Sequence, residues 1–182
     1  MKQNNTRTIV LAALLAAFTT VATMIIKIPT PTMGYIHLGD GLVLLCGILL
    51  GPGLGAAAAG IGSMFADIFS GYASWAPATL IIKAATAFVG GWIFHKLHDS
   101  SSTPVRTVIS GVPAEIVMVF GYYVYEVGLA MAGGSALGAA AIATAAGVPF
   151  NIVQGAAGVI VSAALLPVLS RASGDLHARI HA

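Results

Sequence analysis

The chain has 182 residues, of which 58% are hydrophobic and only 8% charged, with a formal net charge of +2. A mean hydropathy of +0.93 excludes an ordinary soluble domain and places the chain in lipid. That length leaves no room for a separate soluble part, so residues 1–182 read as one integral-membrane domain, with no nucleic-acid partner expected.

Six apolar stretches read as spans, each judged against the need for about 20 residues to cross roughly 30 Å of hydrocarbon. The first, residues 6–26, follows Lys2 and Arg7 and runs through Met24, Ile25 and Ile26 to Lys27. It lacks the short apolar region and small-residue cleavage site of a signal peptide, so it reads as retained. The second and third, residues 38–50 and 54–70, are separated by Gly51-Pro-Gly53. Proline ends the hydrogen-bond ladder there and glycine accepts unusual backbone angles, which predicts a tight turn. The second stretch is short, so tilt or a start at Ile36 is expected. The fourth runs over about residues 77–97, with Pro77 suited to a first helical turn. A polar linker with Asp99 and three serines precedes the fifth, residues 106–131. The alanine-rich residues 137–146 read either as a short surface helix or as the start of the sixth span. That last span, residues 148–169, has Pro149 in its first turn and Pro167 near its end.

Short cytoplasmic loops keep lysine and arginine while translocated loops avoid them. With the N-terminus inside, Lys2, Arg7, Lys96, Arg106, Arg171 and Arg179 fall on the cytoplasmic side, Lys27 lies in an outer loop and Lys83 within a span. The expected fold is an all-α membrane protein, a bundle of six transmembrane helices with both termini cytoplasmic.

This topology gathers the polar residues of the spans toward the outer face. His37 and Asp40 flank the start of span two, Asp67 lies near the outer end of span three, and Lys83 lies in the outer half of span four. Glu126 closes span five toward the outside, and Asn151 and Gln154 open span six. A charge at the bilayer centre costs at least about 2.5 kcal/mol, so such residues face a protein interior or a cavity and find partners. Lys83 is expected to pair with Asp67 or Glu126. Helical spacing sets Gly60, Ser63, Asp67 and Ser70 on one face, Glu115, Met118, Tyr122 and Glu126 on another, and Asn151, Gln154, Gly155 and Gly158 on a third. Tyr72, Trp75, Tyr122 and Tyr123 are either interface anchors or ring-stacking partners of a flat ligand.

Four segments together carry a family resemblance: Gly34-Tyr-Ile-His-Leu-Gly-Asp40, Leu49-Leu-Gly-Pro-Gly-Leu-Gly55, Ala66-Asp-Ile-Phe-Ser-Gly-Tyr72 and Ala76-Pro-Ala-Thr-Leu-Ile-Ile-Lys83. The chain resembles, over most of its length, the substrate-binding S component of an energy-coupling factor (ECF) vitamin transporter, in the riboflavin, pyridoxine and hydroxymethylpyrimidine-like branch. The resemblance implies six helices in a bacterial plasma membrane and a vitamin pocket near the outer face. It also implies a partnership with a membrane coupling subunit and two cytoplasmic ATPases. The chain has no G-x-x-x-x-G-K-[ST] loop of its own, no cofactor is expected, and pyridoxine-like or hydroxymethylpyrimidine-like compounds stand ahead of riboflavin and cobalamin. The expected vitamin contacts are His37, Asp40, Asp67, Tyr72, Trp75, Lys83, Tyr122, Tyr123, Glu126, Asn151 and Gln154. His37 reads equally as a ligand contact or a cap of span two. The loop from Lys27 to His37, with Pro29, Pro31 and Gly34, resembles the family's lid. Two small-residue pairs in span one, Ala12 with Ala16 and Ala13 with Ala17, resemble its docking surface for the coupling subunit, with internal packing as the alternative.

Two other classes remain. An enzyme would use the cluster His95, Lys96, His98 and Asp99, but this is where a basic helix end and polar loop are expected, and no metal site is expected. Cys46 is single and lies in an apolar span, which excludes an intrachain disulfide. His177 and His181 share a tail with Arg179 and read as a solvated end. An autonomous secondary transporter or channel would use Asp67, Lys83, Glu115 and Glu126 as an ion path.

Overall fold

Gly51 sets the first fixed point of the bundle. Its φ of +79° is a left-handed backbone that side chains resist, and Pro52 after it starts a helix where no N–H is needed. The helices on either side, α2 (Asp40–Leu50) and α3 (Pro52–Phe69), therefore follow one another with a single residue between them. The computed structural model describes residues 2–32, 34–97 and 102–172. Ahead of α2 come α1 (Lys2–Ile25) and a short antiparallel hairpin of β1 (Lys27–Pro29) with β2 (Tyr35–His37), in which Ile28 faces Ile36. After α3 come α4 (Ala76–Lys96), α5 (Thr103–Ala132), α6 (Leu137–Thr144) and α7 (Val148–Ala172), with a 3-10 turn at Ala145–Gly147 between the last two.

Among the described residues, five runs are long and apolar enough to cross a membrane: Thr6–Ile25, Pro52–Phe69, Ala76–Lys96, Thr103–Ala132 and Leu137–Arg171. α2 is not one of them. It does not begin at Ile36, because residues 35–37 are committed to β2, and its 11 residues make only about 16 Å of helix. Nine of those residues are buried, which is the expected fate of a helix that is apolar all round. α1, α3, α4 and α7 surround it, and they carry the large exposed side chains, among them Phe18, Phe65, Ile81 and Ile160, on their outer faces. The alanine-rich piece is a helix of its own, α6, held to α5 where the Tyr123 hydroxyl donates to Ala141 O at 3.2 Å.

Lipid tails are as apolar as leucine, so helix association in a bilayer depends on close packing of small residues. α2 and α4 meet in this way. A Cβ on Gly47 would stand 2.1 Å from Ala87 O, and one on Gly91 would stand 2.4 Å from Gly47 O. α1 and α3 repeat the device, since a Cβ on Gly62 would lie 2.4 Å from Ala16 O, and Thr20 donates to Gly62 O at 2.8 Å. At the end of the bundle holding the α2 C-terminus, the His95 ring nitrogen lies 3.0 Å from Ile48 O. The fully buried Arg106 donates there to Phe94 O at 3.1 Å and stacks on that ring. Arg106 is thus enclosed by the bundle, where a charge count alone would set it in water.

Candidate functional site

Strand β2 turns alternate side chains to opposite sides, so Tyr35 and His37 point together toward the ends of α3, α4, α5 and α7. The Tyr35 hydroxyl donates to Asp67 Oδ1 at 2.7 Å, and its ring packs on Tyr72 with centroids 4.6 Å apart. The His37 backbone N–H donates to Gln154 Oε1 at 2.9 Å, while His37 Nδ1 accepts the Gly39 N–H at 3.0 Å. An accepting Nδ1 carries no proton. Burial, and next the positive charge of Lys83, hold the imidazole pKa down to about 3 against a smaller opposing pull from Asp40, so the ring is neutral.

Beneath the hairpin lies a polar network. Lys83 donates to Asp40 Oδ1, Gln154 Nε2 donates to Asp40 Oδ2 at 2.7 Å, and the Lys83 ammonium stands 5.2 Å from the Tyr122 ring centroid. The expected partners of Lys83, Asp67 and Glu126, are therefore replaced by Asp40. The physical reason is the central position of α2, whose first turn faces the second turn of α4. Gln154 uses both ends of its amide, one for the hairpin and one for the buried carboxylate. Glu115 enters the same core from α5. A Cβ on Gly158 would lie 2.7 Å from Asp40 Cβ and 3.2 Å from Glu115 Oε1, so only glycine lets α7 approach both carboxyl groups.

Above the network is a narrow cavity walled by the hairpin and by α3, α4, α5 and α7. Of the eleven residues expected to touch ligand, seven line it: His37, Asp67, Trp75, Tyr122, Glu126, Asn151 and Gln154. Asp40 and Lys83 lie under the lining, and Tyr72 stands behind Tyr35. Tyr123 turns away and lines an apolar groove between α5 and α7. Successive residues on a helix point about 100° apart, so adjacent tyrosines 122 and 123 cannot share one face. Trp75 packs near Tyr122, with centroids 6.2 Å apart, and edge-on against Tyr125 at 5.3 Å; the Tyr122 hydroxyl lies 3.2 Å from Thr79 Oγ1. Gly34, read from sequence as part of the lid, also lines the cavity, as do Thr30, Tyr35 and Thr79, which were not singled out as contacts. Tyr35 was legible as the alternate-position neighbour of His37.

The four alanines of α1 divide. Ala12 is buried and Ala16 packs against the same core, whereas Ala13 and Ala17 are exposed. Of the proposed enzyme cluster, His95 reaches Ile48 O and Lys96 stands over the Trp92 ring, while His98 and Asp99 lie outside the described residues, as do His177 and His181. Among the described residues no three His, Cys, Asp or Glu side chains are arranged to hold a metal ion. Cys46 is buried in the apolar core, with Thr19 Oγ1 3.7 Å away.

The family described as ECF-type riboflavin transporter, S component, matches residues 3–171. The chain belongs to that S component family. An uncharacterized protein of Pyrococcus woesei, from a gap 3′ region, is 34% identical over 158 residues, which are 86% of this chain and 97% of the relative. The solved S component of a bacterial ECF transporter has the same fold, with a TM-score of 0.71 at 23% identity over 92% of this chain and 97% of that one. ECF S components are multi-pass proteins of the cell membrane that bind substrate for transport, not enzymes, and serve vitamin uptake with an ECF module. The cavity beneath the β1–β2 hairpin is the candidate substrate site of this S component.

Proposed function

We propose that the chain captures a heteroaromatic vitamin or vitamin precursor in the cavity under the hairpin and passes it across the membrane with an ECF module of one coupling subunit and two cytoplasmic ATPases. One observation carries this reading: the Trp75, Tyr122 and Tyr35 rings and the polar ends of Asp67, Glu126, Asn151 and Gln154 converge on one cavity. Rings supply flat apolar area, and a few placed polar groups supply orientation. The hairpin acts as a lid, since two of its holds on the bundle, Tyr35 to Asp67 and His37 to Gln154, are hydrogen bonds that can open. The charge pattern supports six spans with both termini cytoplasmic, α2 being the short one.

A single-ring ligand, pyridoxine-like or hydroxymethylpyrimidine-like, is the one the sequence resemblance favours. Riboflavin is the competing ligand because the matched family is described by it. The test is mass spectrometry of small molecules that copurify with the chain, followed by titration with a vitamin panel read by the fluorescence of Trp75 beside the cavity. Saturable quenching by one of these compounds is expected. In vesicles, uptake is expected only when the ECF module is present. Solute movement by the chain alone along an ion gradient would overturn partner-dependent capture in favour of a secondary transporter.

A further inference from the structure

We infer that Asp40 and Glu115 share one proton in the core of the bundle, with Glu115 the donor, and that this bound proton ties α5 to the network holding the hairpin. The inference is independent of what the cavity above binds. Glu115 is 5% exposed, and neither of its carboxyl oxygens meets a hydrogen-bond donor. What the group meets is a second carboxyl, since the fully buried Asp40 is its hydrogen-bonding neighbour. Ionised carboxylates only accept, so two of them bond to one another only when one carries a hydrogen. Buried polar atoms are nearly always partnered, and the donor missing from this contact is therefore a proton on one of the two acids. Asp40 already accepts from Lys83 at Oδ1 and from Gln154 at Oδ2, the bonds of an ionised carboxylate. The proton thus sits on Glu115.

The charge count agrees. Lys83 brings one positive charge, and two ionised acids beside it would leave a negative charge uncompensated at a depth where an unpaired charge is expensive. One proton makes the cluster neutral. Among the described residues, no other group facing Glu115 is free to act as the donor. α7 meets it through Gly155 and Gly158, where an added Cβ would stand 3.2 Å from Oε2 and 3.2 Å from Oε1, and the Gln154 amide is already bonded to His37 N and Asp40. α4 brings Lys83, which Asp40 holds, and α5 itself brings Tyr122, whose hydroxyl lies 3.2 Å from Thr79 Oγ1. From the hairpin comes His37, whose Nδ1 accepts from Gly39. Toward lipid, Glu115 borders the α5–α7 groove, whose one other polar side chain, Tyr123, donates to Ala141 O. A continuous chain of bonds then runs from Glu115 through Asp40 and Gln154 to the His37 N–H, so a proton held on α5 supports the hold on the hairpin.

The chain has only two glutamates, Glu115 and Glu126, so in a Glu126→Gln variant an isotopic label on the glutamate carboxyl carbon reports Glu115 alone. The experiment is solid-state NMR of that full-length variant in lipid bilayers at neutral pH, where the chemical shift separates a carboxylic acid from a carboxylate. The Glu115 resonance is expected at the acid position. With aspartate labelled as well, a cross-peak to an aspartate carbon at the carboxylate position is expected. Adding Asp40→Asn leaves Lys83 without its partner, and Glu115 is then expected to release the proton, pair with the lysine and move to the carboxylate position. A carboxylate resonance for Glu115 before that second change overturns the bound proton. An acid resonance without the cross-peak, or one that does not move in a folded Asp40→Asn chain, overturns sharing between the two acids. None of these readouts involves vitamin binding, so their failure is distinct from a failure of the vitamin-capture reading.

Discussion

Lys83 and Asp40, 43 positions apart, form an ion pair in which neither side chain is exposed. Removing one member of such a pair strands the other in a medium that cannot solvate it, at a cost of about 3–5 kcal/mol, whereas removing both is often close to neutral. Lys83→Met is therefore expected to lower the unfolding midpoint sharply, and Asp40→Asn combined with Lys83→Met to recover most of the loss. Thermal unfolding in detergent, followed by tryptophan fluorescence, checks this. A double variant as unstable as the single one would show that the two groups are not coupled.

Gln154 connects the hairpin to that pair through His37 N and Asp40 Oδ2. Gln154→Ala leaves a donor and an acceptor unsatisfied, each worth about 1–3 kcal/mol. Because one of these bonds holds the lid, ligand release is expected to accelerate by about tenfold or more, with the association rate little changed. Stopped-flow quenching separates the two rates, and an effect confined to association would count against the lid contact.

Ala13 and Ala17 face outward and Ala16 faces α3. Leucine at position 13 or 17 is expected to leave vitamin affinity unchanged while impairing uptake in vesicles containing the ECF module. Leucine at position 16 meets the backbone approach to Gly62 and is expected to cost about 1–3 kcal/mol of stability. Loss of vitamin binding in the Ala13→Leu variant would remove the basis for an outward docking face.

His37 is held neutral in the folded chain, with a pKa of about 3, below the value of about 6.5 expected when unfolded. Between those values the unfolded chain binds a proton that the folded chain refuses, so this contribution falls as pH drops below about 6.5. The slope from this group is at most about 1.4 kcal/mol per pH unit. A His37→Gln variant is expected to show a flatter stability curve between about pH 6.5 and 4.5 than the unaltered chain. Equal slopes would place the acid sensitivity elsewhere.

Position along the chain was legible from sequence, and direction around each helix was legible only in part. Hydropathy and the Gly51-Pro52 turn located the helices to within a few residues because both are local properties of the chain. The periodic faces of α5 and α7 also emerge inward: Glu115, Met118, Tyr122, Glu126, Asn151 and Gln154 are all buried. The partner of Lys83 was missed because it depends on which helix occupies the centre, and no single helix encodes that. The two alanine pairs of α1 have the same spacing and similar composition, yet one packs into the core and the other faces outward. The hairpin was hidden by its length, since three residues per strand leave little alternation to read.

A helix of 11 residues reaches about 16 Å, roughly half of a 30 Å hydrocarbon layer, and Asp40 is the first residue of that helix. Its neighbours α3 and α4, at 18 and 21 residues, run about 27 and 31 Å. On the proposed reading, a solute resting over Asp40 is walled by helices nearly twice as long as the one beneath it.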